Sequence, residues 1–480
     1  MHASVGRRFE RDVAAADGPL RRAVEAAAAF LSSVDERPVA REVDLASLRR
    51  SLGGPLPATG ESAADVIVQL ADTAAPGIVA TAGPRYFGFV IGGSHPAALA
   101  ADWLTSAWDQ NACLYAMSPA AAVVEEIVAA WLIDLFGLPT DTGVGFTTGA
   151  TMASFTALAA ARHRVLDSVG WDVEERGLTG APPVTVVVGD EVHVTILAAL
   201  QMLGLGRGTV RRVAADEQGR LRADALEAAL ASTAGPLIVC AQAGNVNTGA
   251  FDPLPLLAPL THARGGWLHV DGAFGMWAAA VPSLRPLSTG LAMADSWTTD
   301  AHKYLNVPYD SGLVFVRDAH AHRTAMTLGA SYYVETTDDR RDPYNWVPES
   351  SRRARGFAIY ATLRALGRDG VADLVERCSR LARRMADALS AAPHTRILNE
   401  VVLNQILVAF EPPSGRDADA FTRAVIARVQ ADGTCWIGGS TWRGRAVMRI
   451  SVSNWSTTTA DVERSAAAIL RCAAEESASR

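Results

Sequence analysis

The chain has 480 residues, of which 49% are hydrophobic and 20% are charged, and its formal net charge is −7 at pH 7. This length allows roughly two or three domains, and the apolar fraction excludes a disordered or fibrous protein. Charges of both signs are mixed along the chain, which argues against a protein that binds nucleic acid or anionic membranes. Small molecules are therefore the expected partners.

Cysteine usage and the N-terminal sequence indicate the compartment. The five cysteines form no CxxC pair, which predicts a reducing environment, no disulfide framework and no zinc or other metal site. The first residues lack the apolar stretch of a secretory signal, and the most apolar later stretch, residues 120–138, is interrupted by Glu125, Glu126 and Asp134. We expect a soluble, cytoplasmic protein without membrane contact.

Residues 1–82 are predicted to form a helical N-terminal segment. Apolar residues recur at helical spacing in residues 21–31 and 62–71, and a loop rich in glycine and proline separates them. The segment is too short to bury a large core of its own, so it is expected to pack on the main domain or on a partner subunit in a dimer.

Residues 83–356 are predicted to form an α/β domain. Short apolar runs alternate there with helical stretches, which indicates a largely parallel sheet. The predicted strands are residues 184–190, 208–214, 236–242, 265–272, 294–300 and 311–318.

Residues 357–480 are predicted to form a smaller α+β domain. A helix is expected to run through Ser390 and is followed by a strand at 401–410, a helix at 418–431, a strand at 446–454 and a last helix.

Ligands of open α/β sheets bind outside the carboxyl ends of the strands, and polar residues follow three of the apolar runs. Backbone N–H groups of Gly149, Ala150 and Thr151 can form an anion cradle at a helix start, although an ordinary capped helix has the same pattern. Asp271 ends the run WLHVD, where a turn residue is the alternative, and Lys303 follows DSWTTDAH, where a solvated surface charge is the alternative. An anion cradle, a carboxylate and an amine at one sheet edge suit pyridoxal phosphate.

The order and spacing of several motifs are specific. They are RYFGFVIGG, SPAAAVVEE, GFTTGATMAS, DEVHVTILAALQMLG, GNVNTGAFDPL, WLHVDGAFG, DSWTTDAHKYLNVPYDSG and RISVSN. In these motifs, from about residue 83 to 461, the chain resembles the group II pyridoxal-phosphate-dependent amino-acid decarboxylases. The resemblance implies the aspartate-aminotransferase fold, fold type I, with a mostly parallel mixed sheet in the large domain.

The resemblance also implies how the cofactor is held. Lys303 would carry it as an internal aldimine, Asp271 would pair with the ring nitrogen, and Ala273 would lie against one ring face. His193 would stack on the other face, with a plain helix cap as the alternative. The phosphate side would be formed by Gly149, Ala150, Thr151 and His302.

Two positions depart from the better-known members of the family. Asp300 stands where they commonly carry Asn, and because a carboxylate repels phosphate, we do not assign it a phosphate contact. Val246 replaces a Thr and so removes a polar contact. Whether Asn245, Asn247 or Thr248 compensates is open at this stage.

The implied activity is decarboxylation of an L-amino acid to an amine through an external aldimine and a quinonoid. Tyr332, in a polar loop at 332–351, would donate the proton to the quinonoid carbon, with Tyr333 or an exposed loop aromatic as alternatives. A second reading with the same cofactor is oxidative decarboxylation to an aldehyde, or elimination on a modified amino acid. A scaffold protein without cofactor is disfavoured, because Lys303, Asp271 and His193 are all present.

The resemblance implies a homodimer whose substrate pocket is shared between subunits. Asn111 and Cys113, in WDQNACLYAMSP, match the loop that comes from the opposite subunit, and Phe89 offers an aromatic wall. Arg449 matches an arginine that pairs with a substrate carboxylate, with a structural ion pair as the alternative. Because an unsatisfied Asn amide disfavours an indole or phenyl ring, we expect a substrate with a polar side chain.

Overall fold

The structure, a computed structural model, describes residues 18–40, 42–327, 340–412 and 415–479, and these contain a seven-stranded and a four-stranded β-sheet. The strands of the larger sheet are β1 (Gly143–Thr147), β2 (Thr185–Gly189), β3 (Arg211–Val213), β4 (Leu237–Gln242), β5 (Trp267–Asp271), β6 (Ser296–Asp300) and β7 (Gly312–Val316). Those of the smaller sheet are β8 (Thr395–Ile397), β9 (Gln405–Phe410), β10 (Gly438–Trp442) and β11 (Arg445–Ser451).

Helices precede, connect and follow these strands. Before β1 lie α1 (Pro19–Ser33), α2 (Leu45–Leu52), α3 (Ala63–Ala74), α4 (Pro96–Trp108) and α5 (Pro119–Phe136). The helices between the strands of the larger sheet, in chain order, are α6 (Ala150–Asp167), α7 (Val173–Arg176), α8 (Val194–Met202), α9 (Ala223–Ala231) and α10 (Leu254–His262). After β7 come α11 (Ala319–Met326), α12 (Gly356–Ser390), α13 (Ala418–Asp432) and α14 (Thr459–Ala478), and non-helical backbone at Gly367 interrupts α12. Short 3₁₀ helices are Ala75–Gly77, Gly275–Ala280, Arg285–Ser288, Leu291–Met293 and Pro343–Trp346.

The larger sheet has the strand order β1-β7-β6-β5-β4-β2-β3. Strand β7 runs antiparallel to both of its neighbours, while β6, β5, β4, β2 and β3 pair in parallel. The mostly parallel mixed sheet predicted from the sequence is therefore confirmed. Because β1, β2, β4, β5 and β6 all point the same way, the loops that follow them meet at one edge of the sheet.

Helices cover both faces of this sheet, which explains why its strands are near-continuous apolar runs. On one face, Leu158 of α6 and Ile196 of α8 belong to a fully buried cluster with Val188 of β2 and Val314 of β7. Helix α6 contains six alanines and starts directly after β1 and a short turn. Small side chains let this helix lie close to the sheet, so its first residues reach the carboxyl edge.

The sequence missed some strands and misplaced others. The strand expected at 401–410 starts only at Gln405, and β1, β8 and β10 were not predicted. Strands β1 and β10 each contain two glycines, which have low strand propensity and therefore hide the pattern. The antiparallel direction of β7 cannot be read from apolar periodicity, because periodicity carries no information on strand direction.

The N-terminal helices expose their apolar residues. The two helices predicted there are found as α1 and α3, α2 lies between them, and none of the three contains a buried residue. Among the described residues, no helix combines the length and the apolar character that a membrane crossing requires.

The side chain of Asn306 joins three separate parts of the chain. It is fully buried, and its Nδ2 donates to the carbonyl oxygens of Tyr304 (2.8 Å) and Ser453 (3.0 Å). Its Oδ1 accepts from the backbone N–H groups of Gly93 and Trp455. The loop after β6 is thereby fixed to the segment after β11 and to the glycine-rich segment at residues 92–93.

We predict that Gly92→Ala destabilises the protein. A Cβ at this position would lie 2.1 Å from the carbonyl oxygen of Lys303, so the backbone must shift. Overpacking of this kind costs about 1 to 3 kcal/mol. Thermal unfolding should show the loss, and Gly208→Ala is the matched control because no heavy atom lies within 4 Å of its Cβ. Equal melting temperatures for the two variants would contradict the close approach.

Candidate active site

Four ionisable side chains meet at the carboxyl edge of the larger sheet. Asp271 ends β5, Asp300 ends β6, Lys303 follows in the next loop, and His193 stands just before α8. Burial lowers the pKa of His193, and the charges of Asp271, Lys303, Arg449 and Asp300 have smaller effects on it. The four residues are spread over more than a hundred positions of the sequence, from His193 to Lys303.

Lys303 is held in a defined position inside this site. Its Nζ lies 2.9 Å from Oδ2 of Asp300, and the side chain is 20% exposed. Nζ also lies 6.0 Å from the ring centroid of Phe274. The alternative of a solvated surface lysine is therefore wrong.

Asp300 links the lysine loop to the start of α6. Its carboxylate is 2% exposed, and Oδ1 accepts a hydrogen bond from the backbone N–H of Ala150 at 2.6 Å. Oδ2, which faces Lys303, also lies 3.6 Å from Nε2 of His302. One buried carboxylate thus contacts a helix N-terminus, an amine and an imidazole.

His302 packs beneath this carboxylate. Its Nδ1 accepts a hydrogen bond from the N–H of Ser311 at 3.2 Å, and its ring lies 4.3 Å from the ring of Tyr309, measured between centroids. Burial lowers the pKa of His302 more than the Asp300 charge raises it. The neutral ring with its proton on Nε2, toward Asp300, is the form that these contacts favour.

Asp271 forms a turn and also belongs to the site. Its Oδ1 accepts from the N–H of Ala273 at 3.1 Å, as a turn residue does, and its carboxylate is buried. The carbonyl of Ala273 accepts from the N–H of Asp300 at 2.8 Å. Ala273 therefore sits between the two acidic residues, and its small side chain leaves room beside them.

His193 serves as the N-cap of α8. Its Nδ1 accepts from the N–H of Thr195 and lies 2.7 Å from the Thr195 hydroxyl. Burial lowers the pKa of His193, and the Asp271 charge opposes that effect only in part. The capping alternative is correct as local structure, and it fixes a neutral ring next to Asp271 and Lys303.

Arg449, on β11, is a half-buried cation with few polar contacts. Its Nη1 donates to the carbonyl of Val246 at 3.3 Å, and its Nε is buried without a hydrogen-bond partner. Burial lowers its pKa, and within the described ranges no carboxylate forms an ion pair with it. The alternative of a structural ion pair finds no support, and a guanidinium in this state attracts an anion.

The residues of the predicted anion cradle lie at the start of α6, where the N–H of Ala150 already donates to Asp300. Gly149 precedes α6, and a Cβ on it would lie 3.4 Å from Cε1 of His302 and 3.6 Å from Oδ1 of Asp300. Thr151 is the second residue of the helix. The three polar residues considered as substitutes at position 246 are engaged elsewhere: Asn245 with its own turn and Glu191, Asn247 with Ser440, and Thr248 with Gln218.

Three of the predicted substrate positions have contacts away from Lys303. Phe89 has a positive φ of 53° and stacks on Trp436 with 5.7 Å between ring centroids. Both amide atoms of Asn111 are engaged, with the Ser351 hydroxyl and the Arg352 N–H. Cys113 is buried in a small cluster with Leu114 and Tyr344. The unsatisfied amide on which the polar-substrate argument rested is not found within the chain.

The predicted proton donor cannot be placed. Tyr332 and its neighbour Tyr333 lie outside the described residues, so Tyr332 stays a prediction.

Sequence reasoning did not identify three residues that hold neighbouring segments together through hydrogen bonds or ring contacts. Asn306 and Tyr309 lie within the motif DAHKYLNVPYD, where attention to every polar residue after a strand end would have flagged them. Trp436 stacks on both Phe89 and Tyr86, yet it stands in a loop where the sequence gives no signal.

Comparison with known proteins identifies the family. Residues 46–411 match the family model described as the pyridoxal-dependent decarboxylase conserved domain. The L-2,4-diaminobutyrate decarboxylase of Rhizobium meliloti (strain 1021) is 32% identical over 375 residues, covering 76% of this chain and 73% of that protein. The acidic amino acid decarboxylase GADL1 of Mus musculus is 29% identical over 380 residues, covering 78% of this chain and 68% of that protein.

Solved structures share the fold. The crystal structure of Oryza sativa TDC with PLP and tryptamine superimposes with a TM-score of 0.89 at 23% identity, covering 95% of this chain and 97% of that one. This likeness confirms the fold class expected from the sequence.

We predict different effects for Arg449, which is half-buried, and Arg352, which is buried. Arg449→Met should leave the free energy of unfolding within about 1 kcal/mol or raise it, because it removes a desolvated charge without an ion pair. Arg352→Met should lower it by about 3 to 5 kcal/mol, because it removes the nearer cation from the buried Glu125 and leaves Arg341 at 3.9 Å. The Arg352 and Glu125 side chains are 2.7 Å apart and 1% exposed. Urea unfolding of both variants tests this, and a large loss for Arg449→Met would assign Arg449 a structural role.

Proposed function

The chain belongs to the pyridoxal-dependent decarboxylase family, and we propose that it converts an L-amino acid with a polar side chain into its amine and carbon dioxide. The observation that carries this proposal is the Lys303 amine, held by Asp300 at the sheet edge with Asp271 and His193 as its charged and polar neighbours. An amine, a buried carboxylate and a neutral imidazole in one place form the donor set that pyridoxal phosphate requires.

The residues present fit the cofactor. Lys303 would bind its aldehyde carbon, Asp271 would hold a proton on its ring nitrogen, and His193 and Ala273 would flank the ring. Its phosphate would lie at the backbone N–H groups that start α6, beside His302. Gly149 supports this assignment, because its missing side chain leaves the space next to His302 and Asp300 open.

When bound, pyridoxal phosphate supplies an electron sink for the electron pair released when the bond to the substrate carboxylate breaks. The chain contributes the charges around that event. Asp271 stabilises a positive ring nitrogen, and the neutral His193, already bonded to Thr195 at Nδ1, adds no competing positive charge. Arg449 orients a substrate carboxylate, since its guanidinium lacks an ion-pair partner among the described residues.

We infer a polar substrate from Arg449 and no longer from Asn111. Asn111 has partners for both amide atoms within the chain, whereas Arg449 is a desolvated cation near His193. Its buried, unpartnered Nε favours a ligand that offers a negative or strongly polar group. An acidic amino acid, or another with a polar side chain, meets this requirement better than tryptophan.

We further propose that the enzyme is a homodimer. Helices α1 and α3 bury none of their residues within one chain, although they carry Leu20, Val24, Leu31 and Leu70, which are 41 to 56% exposed. Trp103 and Leu104 of α4 add to this apolar surface. A second copy would cover these side chains, and its Asn111 and Cys113 loop would approach the site.

Tyr332 is proposed as the group that returns a proton to the substrate carbon after carbon dioxide leaves. Residues that follow Tyr332 in the sequence are held by ion pairs and by stacking. Arg341 and Arg352 both lie near the buried Glu125, and Arg341 stacks on Trp346. These contacts anchor residues 341–352 to α5, so the loop has a fixed attachment on its C-terminal side.

We further propose that the enzyme is cytoplasmic. Cys240, Cys378, Cys435 and Cys472 are buried free thiols. Burial raises the pKa of Cys240, Cys378 and Cys435 to about 12, which keeps these thiols protonated and unreactive.

Lys303→Ala should abolish both cofactor attachment and amine production. Borohydride treatment of the wild-type enzyme should fix the cofactor on the peptide that contains Lys303, which mass spectrometry detects. A control with Lys303 intact, Arg264→Gln, alters an exposed arginine outside the site and should retain both properties. Amine release by the Lys303→Ala enzyme, or reduction of the cofactor onto another residue, would refute the proposed function.

The substrate assignment is tested with an amino-acid panel in which amine, carbon dioxide and peroxide are measured together. Acidic or polar amino acids should be turned over faster than tryptophan, and Arg449→Met should lower kcat/KM by about 10- to 100-fold, the value of a charge-assisted hydrogen bond. Arg449→Lys keeps the charge and should recover part of the loss. Efficient turnover of tryptophan that neither Arg449→Met nor Asn111→Leu changes would contradict the polar pocket.

A further inference from the structure

The cradle at the start of α6 already holds an anion that belongs to the chain. The N–H of Ala150, the first residue of the helix, donates to Oδ1 of Asp300 at 2.6 Å. This carboxylate is 2% exposed, so water screens its charge poorly. The favourable partial charge of the helix N-terminus is therefore used by a side chain from β6.

A phosphate bound at the same helix start would be a second anion close to the first. A Cβ on Gly149 would lie only 3.6 Å from Oδ1 of Asp300, which shows how near the carboxylate comes to the backbone of the cradle. Two anions in a buried site repel each other, and the Ala150 N–H cannot serve both fully.

The basic groups near Asp300 do not cancel the repulsion between its carboxylate and a bound phosphate. Lys303 lies 2.9 Å from Oδ2 of Asp300, so the two charges largely neutralise each other. His302 is the other basic group near the carboxylate, and burial lowers its pKa, which favours its neutral form. Asp300 thus pairs with Lys303 and also accepts a hydrogen bond from the N–H of Ala150.

We propose that Asp300 weakens the hold of the site on the cofactor phosphate, so that this chain binds its cofactor more reversibly than it would with a neutral residue at position 300. The inference rests on the proposed function, because that function puts the phosphate at the start of α6. Asp300 acts as an internal competitor: the phosphate gains the Ala150 N–H only at the expense of the carboxylate.

The test separates phosphate binding from bond formation at Lys303. Pyridoxine 5′-phosphate and pyridoxine differ only in the phosphate, and neither has the aldehyde that reacts with the amine. Their dissociation constants are measured by calorimetry on the full chain after dialysis has removed the cofactor. The ratio of the two constants reports the phosphate contact alone.

Asp300→Asn removes the charge and keeps an oxygen that can accept from Ala150. It should raise the preference for the phosphorylated compound about tenfold, and Asp300→Ser should act in the same direction. Asp310→Asn is the matched control, because Asp310 pairs with Arg355 at 2.6 Å and its side chain is 44% exposed. Its ratio should stay within about twofold of the wild type.

An unchanged or lower ratio in both Asp300 variants overturns the inference, since Asp300 would then assist phosphate binding or leave it unaffected. A rise of equal size in Asp310→Asn also overturns it, because general charge would explain the effect. Borohydride fixation of pyridoxal phosphate on wild-type Lys303 is measured in parallel. If fixation succeeds while the ratio is unchanged, only the inference fails, and if fixation fails, the proposed function fails with it.

Discussion

The close approach of two backbone segments at Gly92 and Lys303 fixes the geometry on which the site depends. Asn306 holds the lysine loop to residues 92–93 on one side and to the segment after β11 on the other. Because these hydrogen bonds are buried, breaking one leaves a polar group without water, and the loop has few alternatives. The direction of Lys303 is therefore set by backbone packing as much as by its ion pair with Asp300.

Several ionisable groups of this site are held in surroundings that lower the stability of the folded protein. Arg449 is half-buried without an ion-pair partner among the described residues, and His193 and His302 are held in surroundings that favour their neutral forms. Asp300, by contrast, has an N–H group and an amine within hydrogen-bond distance. Perturbed groups of this kind concentrate where a ligand supplies the missing charge.

Part of this site follows from the sequence alone. Lys303, Asp271 and Gly149 were found because polar residues after parallel strands meet at one edge, a rule that needs only strand positions. The contact between Asp300 and Ala150 joins residues 150 positions apart, and no local pattern reports it. The satisfied amide of Asn111 and the antiparallel β7 were missed for the same reason: hydrogen-bond partners and strand direction depend on tertiary packing.

The way Arg449 is anchored bears on how freely the neighbouring sequence can vary. Its guanidinium is held by the main-chain carbonyl of residue 246, which every amino acid possesses. The valine at this position therefore keeps the anchor although it lacks the hydroxyl of threonine. Substitutions at residue 246 can therefore change its side chain without removing the carbonyl that accepts from Arg449.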